Sequence, residues 1–224
     1  MTIAEKLGEK GTLVSCELFP PKRHLGFENA RTVIDETVAL SPDFISVTYG
    51  AAGGAYKNTM GMAEYIEQSG CTALMHLTCV GSTRETIGDL IASMKSCGIR
   101  NVLALRGDIV DGQTPKDYLH AIDLVRELKA AGDFCVGAAC YPEGHVEAAN
   151  QQEDIRYLKE KADAGCDFLT TQMFFDNNVL YRFLYRIREA GIRARHPDWH
   201  RPAPYAPLSV PAPLSSLPGN CACL

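Results

Sequence analysis

The chain has 224 residues, of which 46% are hydrophobic and 22% charged, and a formal net charge of −5. This composition is typical of a soluble globular protein, and the length favours a single domain. A negative net charge without a basic stripe argues against a nucleic-acid-binding protein. No apolar run approaches the ~20 residues of a membrane helix. Residues 1–10 carry charges throughout, which argues against a signal peptide.

Nine cysteines are scattered through the chain, and most lie in apolar segments such as those of Cys79, Cys135 and Cys140. An odd number without regular spacing indicates buried free thiols in a reducing compartment, so we expect a cytoplasmic protein. Cys221 and Cys223 have the residue type for a metal site, but two cysteines alone are a weak signal. No histidine pair has metal-ligand spacing, and we predict no metal site.

The periodicity of apolar residues predicts six strands that alternate with six helices. The predicted strands cover residues 11–18, 43–49, 72–79, 101–105, 134–140 and 168–175. The predicted helices cover approximately residues 27–40, 59–69, 84–97, 115–131, 146–164 and 178–190. Successive strands follow at intervals of about thirty residues, which is the length of a βα unit.

Four predicted helices end on a glycine that comes just before a strand. These glycines are Gly70, Gly98, Gly132 and Gly165. Glycine suits the left-handed conformation that ends many helices. Repeated βα units without long insertions indicate parallel strands joined by right-handed crossovers. The predicted fold is therefore α/β, a (βα)8 barrel of the TIM type, with an open doubly wound sheet as the alternative.

Polar side chains gather where the predicted strands end. They are Glu17, Thr48, His76, Arg106, Asp108, His145 and Gln172. Both candidate folds bind ligands at the carboxyl ends of parallel strands, so these residues form the candidate site. Charged groups such as Arg106 and Asp108 are costly to bury, and we expect them to project into a site. From the residues alone, Glu17 also fits a solvated carboxylate, His76 a core histidine, and residues 50–54 a flexible glycine-rich loop.

Several short segments together resemble the methylenetetrahydrofolate reductase family. They are residues 17–21 (Glu-Leu-Phe-Pro-Pro), 46–50 (Ser-Val-Thr-Tyr-Gly), 76–79 (His-Leu-Thr-Cys), 104–108 (Ala-Leu-Arg-Gly-Asp), 141–143 (Tyr-Pro-Glu) with His145, 163–165 (Asp-Ala-Gly), Gln172 and 174–176 (Phe-Phe-Asp). They occur in the family's order over approximately residues 11–191. The resemblance implies an FAD-dependent (βα)8 barrel that reduces 5,10-methylenetetrahydrofolate to 5-methyltetrahydrofolate with NADH or NADPH as donor.

The resemblance also implies catalytic and substrate-binding roles. Glu17 matches the general acid that protonates the folate amine so that an electrophilic iminium forms, and an apolar setting suits that role. Asp108 matches a catalytic carboxylate near the flavin and the pterin. Gln172 matches a residue that contacts folate and nicotinamide, which use the same flavin face in turn. Thr48 and Asp108 complete the implied substrate-binding set.

A larger set of positions matches contacts to FAD in the family. They are Thr48, Tyr49, Ala51, His76, Arg106, Gly107, Asp108, Ala121, Tyr141, His145, Ala148, Asp154 and Lys161. Arg106 and Lys161 suit the cofactor diphosphate because cations form charge-assisted hydrogen bonds with phosphate. His120 and Tyr157 depart from residues found in relatives, which leaves the flavin contacts there open.

The resemblance ends after residue 191. We expect residues 1–192 to form an incomplete barrel of six βα units that lacks strands 7 and 8, followed by an irregular proline-rich tail over residues 193–224. Three functions stay open: a working reductase, an inactive barrel fragment, and another FAD-dependent barrel oxidoreductase such as proline dehydrogenase. The last fits Glu17 and Gln172 less well. The electron donor and a homo-oligomeric state also stay open.

Codon arithmetic predicts that the tail arises from a +1 shift of the reading frame. Without the first base of the Arg193 codon, the bases for residues 193–200 permit valine, proline, valine, isoleucine, leucine, threonine, glycine, isoleucine. The last two bases of the Trp199 codon and the first base of the His200 codon allow only glycine at that position. The shifted sequence resembles the family's seventh strand. Resequencing the gene from the Gly191 codon tests the shift. A +1 frame that ends at once, or lacks two further βα patterns, contradicts it.

Overall fold

The computed structural model describes residues 1–10, 12–21, 27–49, 56–109, 116–192 and 221–223. The helices are Ile3–Lys10 (α1), Phe27–Ala39 (α2), Tyr56–Gln68 (α3), Arg84–Ser96 (α4), Ala121–Ala130 (α5), Gln151–Asp163 (α6) and Asn177–Glu189 (α7). The strands are Ser15–Leu18 (β1), Phe44–Val47 (β2), Thr72–Thr78 (β3), Asn101–Leu105 (β4), Cys135–Cys140 (β5), Phe168–Thr171 (β6) and Cys221–Cys223 (β7). All six predicted strands and all six predicted helices are present, and α1 and β7 are additional to the prediction.

Strands β1 to β6 form one parallel sheet in which each strand pairs with the next along the chain. A doubly wound sheet reverses its strand order at a switch point, and this order contains no reversal. The fold is therefore an incomplete (βα)8-type barrel, and the doubly wound alternative is wrong. Since all six strands run the same way, their carboxyl ends meet at one end of the sheet.

The outer face of the sheet packs against the helices. Val47, Met75 and Val102 are fully buried there, together with Ile66 of α3 and Leu124 of α5. A parallel sheet covered in this way has strands that read as nearly continuous apolar runs. This explains why apolar runs located the strands in the sequence.

The inner face of the sheet carries a separate apolar cluster, against which α1 packs. Ile3 of α1 contacts a cluster that includes Phe44, Leu74 and Leu103. The main-chain N–H of Ile3 also donates to Oδ1 of Asn101 at 2.8 Å. Because this helix has only eight residues, its apolar pattern is too short to predict it from sequence. The amino-terminal end of the inner face is thus covered.

Helices α5 and α6 begin later than the pattern predicts. At the start of α5, Oδ2 of Asp123 in the first turn accepts from the main-chain N–H of His120, the residue before the helix, at 3.2 Å. Before α6, Oδ1 of Asn150 accepts from the main-chain N–H of Glu153 at 2.9 Å. Such caps satisfy N–H groups that have no partner within the helix, and so they define where the helix starts. The preceding residues stay outside the helices.

Two local predictions are confirmed. The four glycines all have positive φ: 81° at Gly70, 73° at Gly98, 79° at Gly132 and 101° at Gly165. Five cysteines are free and buried: Cys16, Cys71, Cys79, Cys135 and Cys140. Burial raises the pKa of the Cys79 and Cys140 thiols to about 12, so both stay protonated at neutral pH.

Residues 193–220 lie outside the described residues, and the predicted frame shift lies there too. The main chain of β7 pairs antiparallel with β1, with Cys221 opposite Leu18. An edge strand offers unpaired N–H and C=O groups to any extended segment, which explains a strand where no strand pattern is present. Within the described ranges, no helix has the length and apolar character needed to cross a bilayer.

Candidate active site

A cavity of about 260 Å³ lies at the carboxyl ends of β4 and β5, beside the amino-terminal end of α5 and along α6. Seven of the residues expected to contact FAD line it: Arg106, Ala121, Tyr141, His145, Ala148, Asp154 and Lys161. They come from α5, from α6 and from the loops that follow β4 and β5. The parallel strand order therefore gathers residues that are far apart in the sequence.

Arg106 makes a two-pronged ion pair with Glu147 at this cavity. Nη1 lies 2.5 Å from Oε2, and Nη2 lies 2.7 Å from Oε1. The pairing raises the pKa of Arg106 and lowers that of Glu147. The main-chain N–H of Glu147 donates to Nδ1 of His145 at 3.1 Å, which ties the same loop together. Glu147 is not among the residues that the sequence predicted for the site.

Lys161 is the second cation of the cavity, and it is largely buried. Its Nζ donates to the main-chain oxygen of Ala139 at 2.7 Å, and burial lowers its pKa. In the described part of the chain, no carboxylate forms an ion pair with it. Glu153 and Glu160, which also line the cavity, each lie 3.5 Å from Arg156. The Lys161 charge is therefore available to an anionic ligand.

Aromatic rings form another part of the cavity wall. The rings of His120 and Tyr157 stack with centroids 6.1 Å apart and planes 24° apart. Tyr141 meets His145 edge to face, with centroids 4.6 Å apart. The main-chain N–H of His145 also donates to Oδ2 of Asp154 at 3.3 Å. Flat rings beside a buried cation suit a ligand that combines aromatic and anionic groups.

Gly107 follows β4 in a conformation that a side chain would strain. Its φ is +86°, and an added Cβ would lie 3.0 Å from Cβ of Thr78 and 3.0 Å from Cγ1 of Val80. The main-chain N–H of Val80 donates to the oxygen of Arg106 at 2.8 Å, so two chain segments approach closely here. Glycine is the residue that this approach allows.

Gly107→Ala is expected to lower the free energy of unfolding by about 1–3 kcal/mol, because the methyl group is crowded and the positive φ is strained. Gly88→Ala is the control, since Gly88 lies within α4 and an added Cβ meets no atom within 4 Å. That exchange is expected to stabilise the chain by about 0.5–1 kcal/mol. Urea unfolding measures the change in the free energy of unfolding for both variants. An equal change in Gly107→Ala and Gly88→Ala would contradict a special requirement for glycine at position 107.

Glu17 lies on the inner face of β1 in a second group of polar side chains. Oγ of Ser46 donates to Oε2 of Glu17 at 3.3 Å, and Nε2 of His76 lies 3.7 Å from the same oxygen. Burial raises the pKa of Glu17 and lowers that of His76 to about 4. His76 is therefore neutral near pH 7, and its contact with Glu17 is not an ion pair. The setting favours the acid form of Glu17.

The other predicted residues lie outside the cavity lining. The main-chain oxygen of Thr48 accepts from Oγ1 of Thr59 at 3.0 Å, and burial raises the pKa of Tyr49. Asp108 and Gln172 are exposed. Ala51 lies outside the described residues.

Ser46 and Glu147 are the contacts that sequence reasoning missed. Ser46 is the one polar residue of β2, where every residue is buried. A polar residue in an otherwise apolar strand indicates that it has a polar partner, and this could have drawn attention to Ser46. Glu147 stands two positions after His145, but nothing in that spacing indicates a partner for Arg106. Within the described part of the chain, no three or more His, Cys, Asp or Glu side chains are grouped to hold a metal ion.

The sequence profile described as methylenetetrahydrofolate reductase matches residues 2–196. The chain belongs to the methylenetetrahydrofolate reductase family. A family member of Oryza sativa subsp. japonica, named probable methylenetetrahydrofolate reductase (NADH), is 37% identical over 213 residues. The 5,10-methylenetetrahydrofolate reductase of Salmonella typhimurium is 41% identical over 180 residues.

The matches cover most of this chain but only part of each relative. The rice match covers 86% of this chain and 36% of the relative, and the Salmonella match covers 80% of this chain and 60% of the relative. A solved structure from Clostridium thermocellum, of a protein that binds two copies of 5-methyl-5,6,7,8-tetrahydrofolic acid, has a TM-score of 0.61 and 14% identity. It covers 84% of this chain and 65% of that chain, and it supports the barrel fold.

Proposed function

We propose that this barrel reduces 5,10-methylenetetrahydrofolate to 5-methyltetrahydrofolate, with FAD as cofactor and NADH or NADPH as electron donor. The observation that carries the proposal is the partly buried carboxyl group of Glu17, whose pKa burial raises, beside neutral His76. A raised pKa favours the protonated carboxyl group, which is the form that can give a proton to a folate amine. The family relationship supports the substrate class.

The residues of the cavity fit FAD. Lys161 has a charge that no described carboxylate pairs with, and together with Arg106 it would hold the diphosphate. Asp154 has a carboxylate suited to ribose hydroxyl groups, and Tyr141 and Tyr157 present rings suited to an aromatic base. FAD supplies hydride transfer when bound, while the protein supplies its position and surroundings.

Glu17 would act on the folate rather than on the cofactor. Proton transfer from its carboxyl group to the folate amine lets the methylene bridge open to an electrophilic iminium, which then accepts a hydride. Burial of the carboxyl group limits access of water and raises its proton affinity, which favours the acid form that can protonate the folate amine. Asp108 and Gln172, which are exposed near the ends of β4 and β6, are proposed to contact the substrate.

An anaerobic two-step experiment tests the function. The purified chain, saturated with FAD, is expected to lose its flavin absorbance on addition of NADH or NADPH. Methylenetetrahydrofolate should then restore it, and comparison of the two donors identifies the preferred one. Reduction by neither donor, or no reoxidation by the folate, would contradict the proposal.

An inactive half-barrel is the second candidate, and the sheet gives a specific reason for it. Strand β6 is an edge of the described sheet, its residues are only half-buried, and Phe175 just beyond it is 84% exposed. An open edge beside apolar surface favours aggregation. A chain that stays colourless in excess FAD and elutes as aggregates would support this candidate.

Glu147→Gln is expected to tighten FAD binding by about two- to fivefold, because glutamine no longer competes for the Arg106 guanidinium by charge. Quenching of flavin fluorescence measures the affinity. Glu160→Gln removes the same charge from the same cavity, but Glu160 faces Arg156 and should leave the affinity unchanged. Equal gains in both variants would indicate a general charge effect and contradict the competition.

A further inference from the structure

We infer that Ser46 and His76 are positioning residues for the Glu17 proton: Ser46 stabilises the carboxylate form, and His76 accepts from the acid form. The inference rests on the proposed function, in which Glu17 gives its proton to the folate. Both groups approach the same carboxyl oxygen, Oε2, from neighbouring strands. His76 stabilises protonated Glu17 before proton transfer, and Ser46 stabilises the carboxylate that remains afterwards.

The register of the parallel strands produces this arrangement. Glu17 pairs with Ser46, and Ser46 pairs with Leu74, so these three side chains point to the same face. His76 stands two residues after Leu74 and therefore shares that inner face. Ser46 is fully buried, and His76 is 7% exposed. The three polar groups consequently meet away from bulk water, where each hydrogen bond has a larger effect.

Ser46 is matched to the ionised form of Glu17. Its hydroxyl group donates to Oε2 at 3.3 Å, and a donated hydrogen bond favours a carboxylate over a carboxylic acid. Once Glu17 has released its proton, this bond stabilises the charge that remains. The hydroxyl group thus limits how far burial alone raises the proton affinity of Glu17.

His76 is matched to the acid form. Burial holds the pKa of His76 at about 4, so the ring is neutral, and one of its nitrogens presents a lone pair. Nε2 has no hydrogen-bond partner among the described residues, although it is buried. With the ring hydrogen on Nδ1, as the inference requires, a bare Nε2 faces Oε2 at 3.7 Å. A protonated Glu17 that turns slightly would give Nε2 its missing partner.

Among the described residues around β1, no other titratable group faces the Glu17 carboxyl group. Cys16 precedes Glu17 and points to the opposite face of the sheet. Strand β2 contains no titratable side chain, and β3 contains His76 alone. Main-chain pairing sets Cys221 and Cys223 of β7 opposite Leu18 and Cys16, and Ala222 opposite Glu17. Lys6 of α1 donates to the main-chain oxygen of Asp43.

The test measures the protonation of Glu17 directly, without substrate. In the full chain labelled with ¹³C at glutamate side-chain carboxyl groups, Glu17→Gln assigns the Glu17 resonance. Ser46→Ala is expected to raise the pKa of Glu17 by about one unit, since it removes a hydrogen bond to the charged form. Ser46→Thr retains a hydroxyl group, so the pKa of Glu17 in this variant should stay close to its value in the unsubstituted chain. ¹⁵N spectra of His76 should show hydrogen on Nδ1 and none on Nε2.

The pH dependence of the folate step provides a second test. That step needs protonated Glu17, so its rate falls as pH rises through the pKa of Glu17, and Ser46→Ala should move this fall to higher pH. An unchanged or lower pKa in Ser46→Ala, or hydrogen on Nε2 of His76, would overturn the inference. If Ser46→Ala does not fold, Ser46→Cys, a weaker donor of similar size, is expected to raise the pKa likewise. Since the spectra need no folate, a chain that fails to reduce folate still tests the positioning.

Discussion

Glu17→Gln is expected to lower the rate of folate reduction by a factor of about 10²–10⁴, the usual contribution of a positioned general acid. Reduction of the flavin by the donor should stay close to its original rate, because that half-reaction takes no proton from Glu17. Glutamine keeps the size of the side chain and can still accept from Ser46. Anaerobic stopped-flow measurements of the two half-reactions distinguish the effects.

Glu67→Gln is the matched control for this variant. Glu67 is also a partly buried glutamate whose pKa burial raises, and its Oε1 accepts from the main-chain N–H of Ala73 at 2.9 Å. It belongs to α3, on the helix side of the sheet, so its exchange should leave both half-reactions unchanged. A similar loss in both half-reactions of Glu17→Gln would contradict the acid role, since it would indicate damage to the fold or to cofactor binding.

Lys161→Met is expected to weaken FAD binding by about ten- to hundredfold, because it removes a largely buried cation that would contact the diphosphate. Stability should be retained or improved, since methionine fills similar space without a charge to bury. Titration of flavin fluorescence measures the affinity, and urea unfolding measures the stability. A loss of affinity without a loss of stability is the expected combination.

Lys159→Met is the control on the same helix. Lys159 pairs with Asp163 in an exposed i, i+4 contact and does not line the cavity. Both variants lose one positive charge from α6, so a general electrostatic effect on an anionic cofactor would weaken binding in both. An equal loss in the two variants would contradict a specific contact between Lys161 and the cofactor.

The repeated βα architecture was predictable from local patterns in the sequence. Apolar runs located all six parallel strands, because a sheet covered by helices needs apolar residues over most of each strand. Glycines such as Gly98 and Gly165 marked helix ends, because their positive φ is a local property of the backbone. Arg106 was expected to leave the core, because a charged residue directly after a buried strand is costly to bury, and it lines the cavity after β4. These signals all lie within a few neighbouring residues.

Tertiary structure alone decided which of these residues meet. Ser46 contacts Glu17 because the register of β1 and β2 sets them opposite each other, and no local pattern specifies a register. Glu147 takes Arg106 as its partner across 41 positions of sequence. The short helix α1 forms because the inner face needs apolar cover at one end, and its own pattern is too brief to predict it. Pairings between distant segments depend on packing, which is a property of the whole sheet rather than of any one stretch of chain.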